Sequence, residues 1–210
     1  MTINYSVEID KASIAQAVDL FEFVGGNSKD ALRIAINKTL PKMRTASSRE
    51  IRKQVRLSAS YVNERLTVRR ATVARLSGAI SAPVRGLLLS RFSTDASIAS
   101  DGVSWIRPPL VPKGGIRVKV KPDGAPKVVK AQNGNKPFYI VLNGGQNVGI
   151  AIRQGKSRKG IDVLSGPSLG QVFNTVRADV RPQAAAELQA QLVDAMRFLL
   201  VKKYPPEPTE

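Results

Sequence analysis

The sequence predicts an α+β protein in which a long basic N-terminal helix and a C-terminal helix pack on an antiparallel β-sheet or a small β-barrel or sandwich, with extended loops. Two observations predict this class. Apolar residues recur every three or four positions near both ends of the chain, and short β-like runs divided by Gly, Pro and Asn fill the middle. We therefore expect one domain over residues 1–204, helical over 11–65, β-rich over 66–165 and helical over 168–203, followed by a Pro-rich tail over 205–210.

The N-terminal third is expected to start with a strand over residues 3–9 and a first helix that ends at Gly25-Gly26. A long basic helix then runs from Asn27 or Ser28 to about Arg56. Its apolar stripe consists of Leu32, Ile36, Leu40, Met43, Ser47, Ile51 and Val55. Pro41 removes a backbone donor in the middle of this helix, so we expect a kink or a break there. Ser58 is the expected cap of a further short helix.

The middle of the chain contains six runs that predict strands, namely "LTVRRATV", "LSGAISA", "GIRVKVK", "PKVVKA", "PFYIVLN" and "VGIAIRQ". Asn-Gly pairs in "NGNKP" and "NGGQN" supply the positive φ angles that tight hairpin turns need. The stretch over residues 93–115 has weak periodicity and many turn residues. It is typical of a long loop that embraces a neighbouring molecule.

Gly166, Pro167 and Ser168 mark the return from strand to helix. Glycine permits an unusual φ angle, proline fixes the next one, and Ser168 can cap the helix that follows, so we interpret the three residues as a structural turn. The last helix is amphipathic. Its apolar face carries Leu188, Leu192, Met196, Leu199 and Leu200.

Catalysis and metal binding are disfavoured by the composition. The chain has no cysteine and no histidine, which excludes disulfides and thiolate zinc sites and removes the commonest general base. The acidic residues are scattered rather than clustered at metal-ligand spacing. The stretch "GIAIRQGKSRKG" contains the residue types of a phosphate-binding loop, but five residues instead of four separate Gly149 from Gly155. We therefore expect no enzyme, no catalytic or metal residues and no cofactor.

The charge balance is strongly basic, with 33 Lys and Arg against 16 Asp and Glu and a formal net charge of +17. Such a chain is attracted to DNA or to acidic protein surfaces, or it keeps a solvated basic surface. The candidate contacts to DNA or to a partner lie on the long helix and just after it. They are Arg44, Arg49, Arg52, Lys53 and Arg56. No apolar run approaches the roughly 20 residues that a membrane span requires.

Two stretches of the chain, in this order, resemble the prophage minor tail protein Z family. The first, "ALRIAINKTLPKMRTASSREIRKQVRLSASYVNERLTV", has an Ala-Ile-Asn-basic-Thr start, an Arg-Thr step and a basic helix, and a second helix then leads into a strand. The second, "GIDVLSGPSLGQVF", is a strand that turns at Gly-Pro-Ser and enters a helix. The β-rich segment between them, with Arg153 near a strand end, also fits.

The resemblance implies a structural virion protein of long-tailed bacteriophages, made in the host cytoplasm. It would be a tail completion protein that forms a homohexameric ring at the head-proximal end of the tail. Its partners would be further copies of itself, the tail terminator, the neck or connector proteins and viral DNA in the channel, with no membrane involved. The alternative function is a free DNA-binding protein that lays the basic helix over residues 29–56 along phosphates.

Within such a ring, the basic residues have two possible neighbours. A channel that conducts DNA should not hold it tightly, so we expect most of the positive charge to face acidic partner proteins. Arg49, Lys53 or Arg56 are the residues that we expect at the lumen. Trp105, Ile106 and Tyr204 are candidate subunit contacts. Trp105, the single tryptophan, is either an anchor in a neighbouring subunit or a filler of the core.

Overall fold

The structure is a computed structural model, and it describes residues 28–95, 111–130, 134–142, 147–155 and 160–203. The predicted strand and helix before residue 27, most of the predicted loop over 93–115 and the "NGGQN" turn lie outside the described residues. The helices are α1 (Ser28–Gln54), α2 (Ala59–Arg65) and α3 (Leu169–Lys203), with a 3₁₀ turn at Leu89–Phe92. The strands are β1 (Thr67–Arg69), β2 (Ala79–Ser81), β3 (Gly86–Leu88), β4 (Arg117–Val118), β5 (Lys127–Val128), β6 (Phe138–Leu142), β7 (Asn147–Arg153), β8 (Ile161–Val163) and β9 (Ser165–Ser168).

The α+β prediction is confirmed, because in the described chain the small antiparallel sheets come between helices along the sequence. The strands pair as β1-β2, β3-β9, β4-β5 and β6-β7-β8, and the described residues form no closed barrel. The chain divides into two compact units. In the described residues, the helical unit comprises 28–50, 65–82 and 173–203, and the β-rich unit comprises 51–64 and the described part of 83–172. That residues 1–204 make one domain stays a prediction.

The core of the helical unit is aliphatic and follows the predicted stripe of α1. Leu32, Ile36, Leu40 and Met43 are buried there, and the antiparallel strands β1 and β2 contribute the buried Ile80. Burying a large apolar side chain stabilises the folded state by about 1.5–3 kcal/mol. Several such side chains therefore outweigh the ~3 kcal/mol that a proline costs inside a helix.

This balance explains why α1 continues through Pro41, so the predicted break does not occur. Pro41 itself is exposed, while Leu40 and Met43 on either side of it are buried. The Thr45 hydroxyl donates a hydrogen bond to the Pro41 carbonyl oxygen at 3.1 Å. Helix α3 likewise continues through Pro182.

Asn37 connects α1 to the segment after β1. Its Nδ2 donates to the carbonyl oxygen of Ala71 at 3.0 Å, and the amide of Ala71 donates back to Oδ1 at 2.8 Å. Ala71 is buried, so both of its backbone groups would lack water if this side chain were absent. The side-chain amide of Asn37 therefore takes the place of the two backbone hydrogen bonds that a neighbouring strand would make with Ala71.

The β-rich unit is built around aromatic side chains. Phe92 and Tyr139 are fully buried, and Tyr139 lies opposite Ile150 in the β6-β7 ladder. The Ser90 hydroxyl donates to the carbonyl oxygen of Val148, and the hydroxyls of Ser93 and Tyr139 lie 2.9 Å apart. Side-chain hydrogen bonds thus join the 3₁₀ turn to the three-stranded sheet.

The strand-to-helix passage at Gly166 differs in part from the expectation. Gly166 and Pro167 lie in strand β9, which pairs with β3, a strand that the sequence did not predict. A Cβ at Gly166 would lie 2.7 Å from Cε2 of Phe92, so this glycine serves close packing, and it is absent from the glycines with positive φ. The predicted cap is confirmed, because the Gln171 amide donates to Ser168 Oγ and the Ser168 amide donates to Gln171 Oε1, both at 3.0 Å.

Candidate functional site

The five basic residues that the sequence singles out fall into both compact units. Arg44 and Arg49 belong to the helical unit, where Arg44 is half-buried and Arg49 is exposed. Arg52, Lys53 and Arg56 belong to the β-rich unit, and all three are exposed. The five residues are therefore divided between the two units, with Arg52, Lys53 and Arg56 in the β-rich one.

Arg56 lies against a hairpin that the sequence reasoning treated only as two strands. Its backbone amide donates to the carbonyl oxygen of Val120 at 2.8 Å, which places it beside Lys119 and Lys121. The short helix α2 follows, with the predicted cap confirmed by a 3.3 Å hydrogen bond from the Tyr61 amide to Ser58 Oγ. The segment just after α1 thus supplies a basic residue to the hairpin.

Alternation in the segment around β4 puts apolar residues on one face of the hairpin and basic residues on the other. Ile116 and Val118 are buried, whereas Arg117 and Lys121 are exposed and Lys119 is half-exposed. In β5, Val128 pairs with Arg117, and two residues further along the exposed Lys130 lies on the same side by the same alternation. We call Arg56, Arg117, Lys119, Lys121 and Lys130 the basic hairpin surface.

The hairpin is held on both sides of β4. The Lys119 amide donates to the carbonyl oxygen of Phe92 at 2.7 Å, and the Thr94 amide donates to that of Arg117 at 3.0 Å. On the other side, the Val129 amide donates to the carbonyl oxygen of Ile116 at 2.8 Å. Because the backbone around β4 is hydrogen-bonded on both sides, the basic side chains project from a fixed strand.

The sequence carried a signal for this surface. The run "GIRVKVK" alternates apolar and basic residues, and from Lys113 to Lys130 the chain has six basic residues against the single acid Asp123. The apolar residues of the run predict a strand. The basic residues that alternate with these apolar residues lie on the opposite face of the strand.

Two other arginines of the β-rich unit stack on aromatic rings. The guanidinium of Arg91 lies 4.3 Å from the ring centre of Tyr61, and that of Arg153 lies 5.3 Å from the ring centre of Phe138. Burial raises the pKa of the Tyr139 phenol above its ordinary value of 10.0, although the hydrogen bond with Ser93 acts in the opposite direction. Tyr139 therefore stays neutral and serves as a hydrogen-bonding member of the core.

The helical unit contains a small apolar cavity instead of a polar site. Its volume is about 30 Å³, and its lining includes Ile36, Leu40 and Met43 of α1, Gly78 before β2 and Val180 of α3. Nearby, Lys42 forms an ion pair with Glu187, and this hydrogen bond lowers the pKa of Glu187 below 4.5.

Within the described ranges, no group of three or more acidic, histidine or cysteine side chains could hold a metal ion. The described helices include none that is long and apolar enough to cross a membrane. Trp105, Ile106 and Tyr204, the candidate subunit contacts, lie outside the described residues. The strongest chemical feature of the described chain is therefore the basic hairpin surface.

A family model described as prophage minor tail protein Z (GPZ) matches residues 16–203 of the chain. No curated protein and no solved structure was found to match it.

Proposed function

The chain belongs to the prophage minor tail protein Z family, and from this premise we propose that it forms a ring at the head-proximal end of a bacteriophage tail. Membership makes it a structural protein of the phage tail and a component of the virion. The proposal adds a homohexamer that completes the tail, joins the tail terminator to the neck or connector proteins and lets DNA pass. The observation that carries it is the family match, which spans almost the whole chain.

Exposed apolar side chains in the helical unit support assembly with other protein surfaces. Near the end of α3, Phe198 and Val201 are 57% and 56% exposed, and Val193 is 49% exposed. A cyclic ring requires that one face of a subunit binds a different face of the next. An apolar patch at the end of a long helix suits one side of such an interface.

Further contacts are proposed from the sequence. Trp105, Ile106 and Tyr204 are the proposed subunit contacts, since tryptophan and tyrosine are enriched at the centres of interfaces. Arg44 and Arg49 of the helical unit are proposed to face acidic partner proteins or the lumen.

The test is a mass measurement and negative-stain imaging of the purified chain, alone and with isolated tail tubes. We expect the mass of six chains, annular particles and caps on one end of the tubes. Because Trp105 is the single tryptophan, its emission should shift to shorter wavelength as the oligomer forms. A chain that stays monomeric and leaves tube ends bare, or that is missing from finished particles, would refute the proposal.

The contribution of the exposed patch can be tested by paired variants. Phe198→Ser together with Val201→Ser should weaken ring formation, because both side chains would be covered in the interface. Val73→Ser is the matched control, since Val73 belongs to the same unit and is 57% exposed. Equal loss of assembly in both variants would place the interface elsewhere.

A further inference from the structure

We propose that the β-rich unit binds the phosphate backbone of duplex DNA, without sequence preference, through the basic hairpin surface. This binding goes beyond the proposed ring. It is a property of the single chain, so it holds whether or not six copies assemble. The surface consists of the five residues defined above, and four of them are exposed.

Spacing and charge favour phosphates as the ligand. Arg117 and Lys119 stand two positions apart in the hydrogen-bonded segment at β4, so their Cα atoms are separated by roughly 6–7 Å. Phosphates of one DNA strand succeed each other at about 3.4 Å along the helix axis, so this interval corresponds to about two nucleotides. Within the described residues, none of the five members of the surface takes part in an ion pair.

The residue types separate DNA from an acidic protein as the partner. Three of the five members are lysines, and lysine is depleted in protein interfaces, which favour arginine and aromatic residues. Lysine binds phosphate as a point charge, without the forked geometry that reads base edges. None of the five members is an Asn, Gln or aromatic residue, so the surface lacks the amides that read adenine and the rings that stack on single strands.

The surface is also weak enough for DNA to move along it. Each neutralised phosphate contributes about −0.9 to the slope of log affinity against log salt, so five contacts give a slope of roughly −4.5. Binding of this kind has dissociation constants of about 10⁻⁴–10⁻⁶ M at physiological salt. Contacts that strong guide a duplex and still release it.

The experiment measures fluorescence anisotropy of a labelled mixed-sequence duplex titrated with the full chain at several salt concentrations. The test variant carries Lys119→Gln, Lys121→Gln and Lys130→Gln. The control carries Arg177→Gln, Arg181→Gln and Lys202→Gln, which removes the same charge from exposed positions of the helical unit. We expect the slope of the test variant to become shallower by about 2.7 and its affinity to fall by tenfold or more at low salt, with less than a twofold change in the control.

Two outcomes would overturn the proposal. Equal weakening in both triple variants would show that net charge alone attracts DNA. Tighter binding of poly-L-glutamate than of duplex, lost in the test variant, would identify an acidic protein as the partner. Circular dichroism checks that each variant is folded. The single change Lys121→Gln, at an exposed position, should reduce the slope by about 0.9 if the triple variant does not fold.

Discussion

The two compact units of this chain are stabilised in different ways. The helical unit relies on apolar stripes of α1 and α3, in each of which the buried residues recur at helical spacing, and it contains a cavity of about 30 Å³ between aliphatic side chains. The β-rich unit relies on pairs far apart in sequence. Gly86 pairs with Ser168, and the Ser90 hydroxyl reaches Val148.

This difference predicts which amino-acid substitutions the core of each unit tolerates. Flexible aliphatic side chains beside a cavity can shift when a neighbour grows, whereas a fully buried aromatic ring has little room to move. We therefore expect the β-rich unit, which carries the basic hairpin surface, to tolerate core substitutions less well. The following predictions test that contrast, starting with the largest expected effect.

Phe92→Ala should destabilise the protein by about 3–5 kcal/mol, because it empties the centre of the aromatic core. Urea unfolding followed by circular dichroism measures the loss. Val73→Ala, at an exposed position of the helical unit, should change the free energy of unfolding by less than about 0.5 kcal/mol. A cost for Phe92→Ala below about 1 kcal/mol would contradict the rigid core.

Asn37→Ala should cost about 2 kcal/mol, because it leaves the amide and the carbonyl group of buried Ala71 without their partner. Asn37→Asp keeps the acceptor for the Ala71 amide and should therefore lose less. Thermal unfolding of the original protein and of the two variants measures the order of their stabilities. If both variants match the original protein, water replaces the side chain and the connection contributes nothing.

Gly166→Ala and Gly78→Ala compare the adaptability of the two cores directly. Each new Cβ would come within 2.7 Å of a neighbour, which is Cε2 of Phe92 for Gly166 and Cδ1 of Leu40 for Gly78. Gly166→Ala should cost about 1–3 kcal/mol because the ring cannot retreat. Gly78→Ala should cost less, because Leu40 borders the cavity. Equal costs in urea unfolding would remove the proposed difference.

Glu187→Gln should have the smallest effect, because the ion pair with Lys42 is exposed to solvent. The pKa of Glu187 is lower in the folded than in the unfolded state, so its contribution is present above pH 4.5 and disappears as pH falls through the folded-state value. The melting temperatures of the two proteins should therefore differ slightly at neutral pH and converge in acid. A gap that widens in acid would show the opposite sign.

The helices could be predicted because their signals are local. The apolar stripe of α1, the Ser58 cap of α2 and the Ser168 cap of α3 all appear in the structure as the sequence indicates. The effect of Pro41 could not be judged from local rules. Whether a proline breaks a helix depends on how much apolar surface the flanking residues bury, and that is a tertiary quantity.

In the β-rich region the sequence predicts where strands lie but not which strands pair with each other. The strands β4, β6 and β7 lie where alternation predicts them, whereas β3 has too few residues to show a period. The role of Gly166 depends on Phe92, which is distant in sequence and reaches it only through the fold. The basic hairpin surface was hidden for the same reason, since Arg56 meets Lys119 and Lys121 only after folding.

Strand β8 ends the three-stranded sheet, with exposed Ile161 and Val163 on either side of Asp162, whose carboxylate accepts hydrogen bonds from Gln154 Nε2 at 2.8 and 2.9 Å. An edge strand can pair with a strand of another molecule, and a charged residue on the edge is the usual way in which proteins disfavour such pairing. The Asp162 carboxylate therefore lies where it disfavours the pairing of β8 with a strand of another molecule. We expect Asp162→Asn to increase fibrous aggregation of a concentrated sample, although it makes the net charge of the chain more positive.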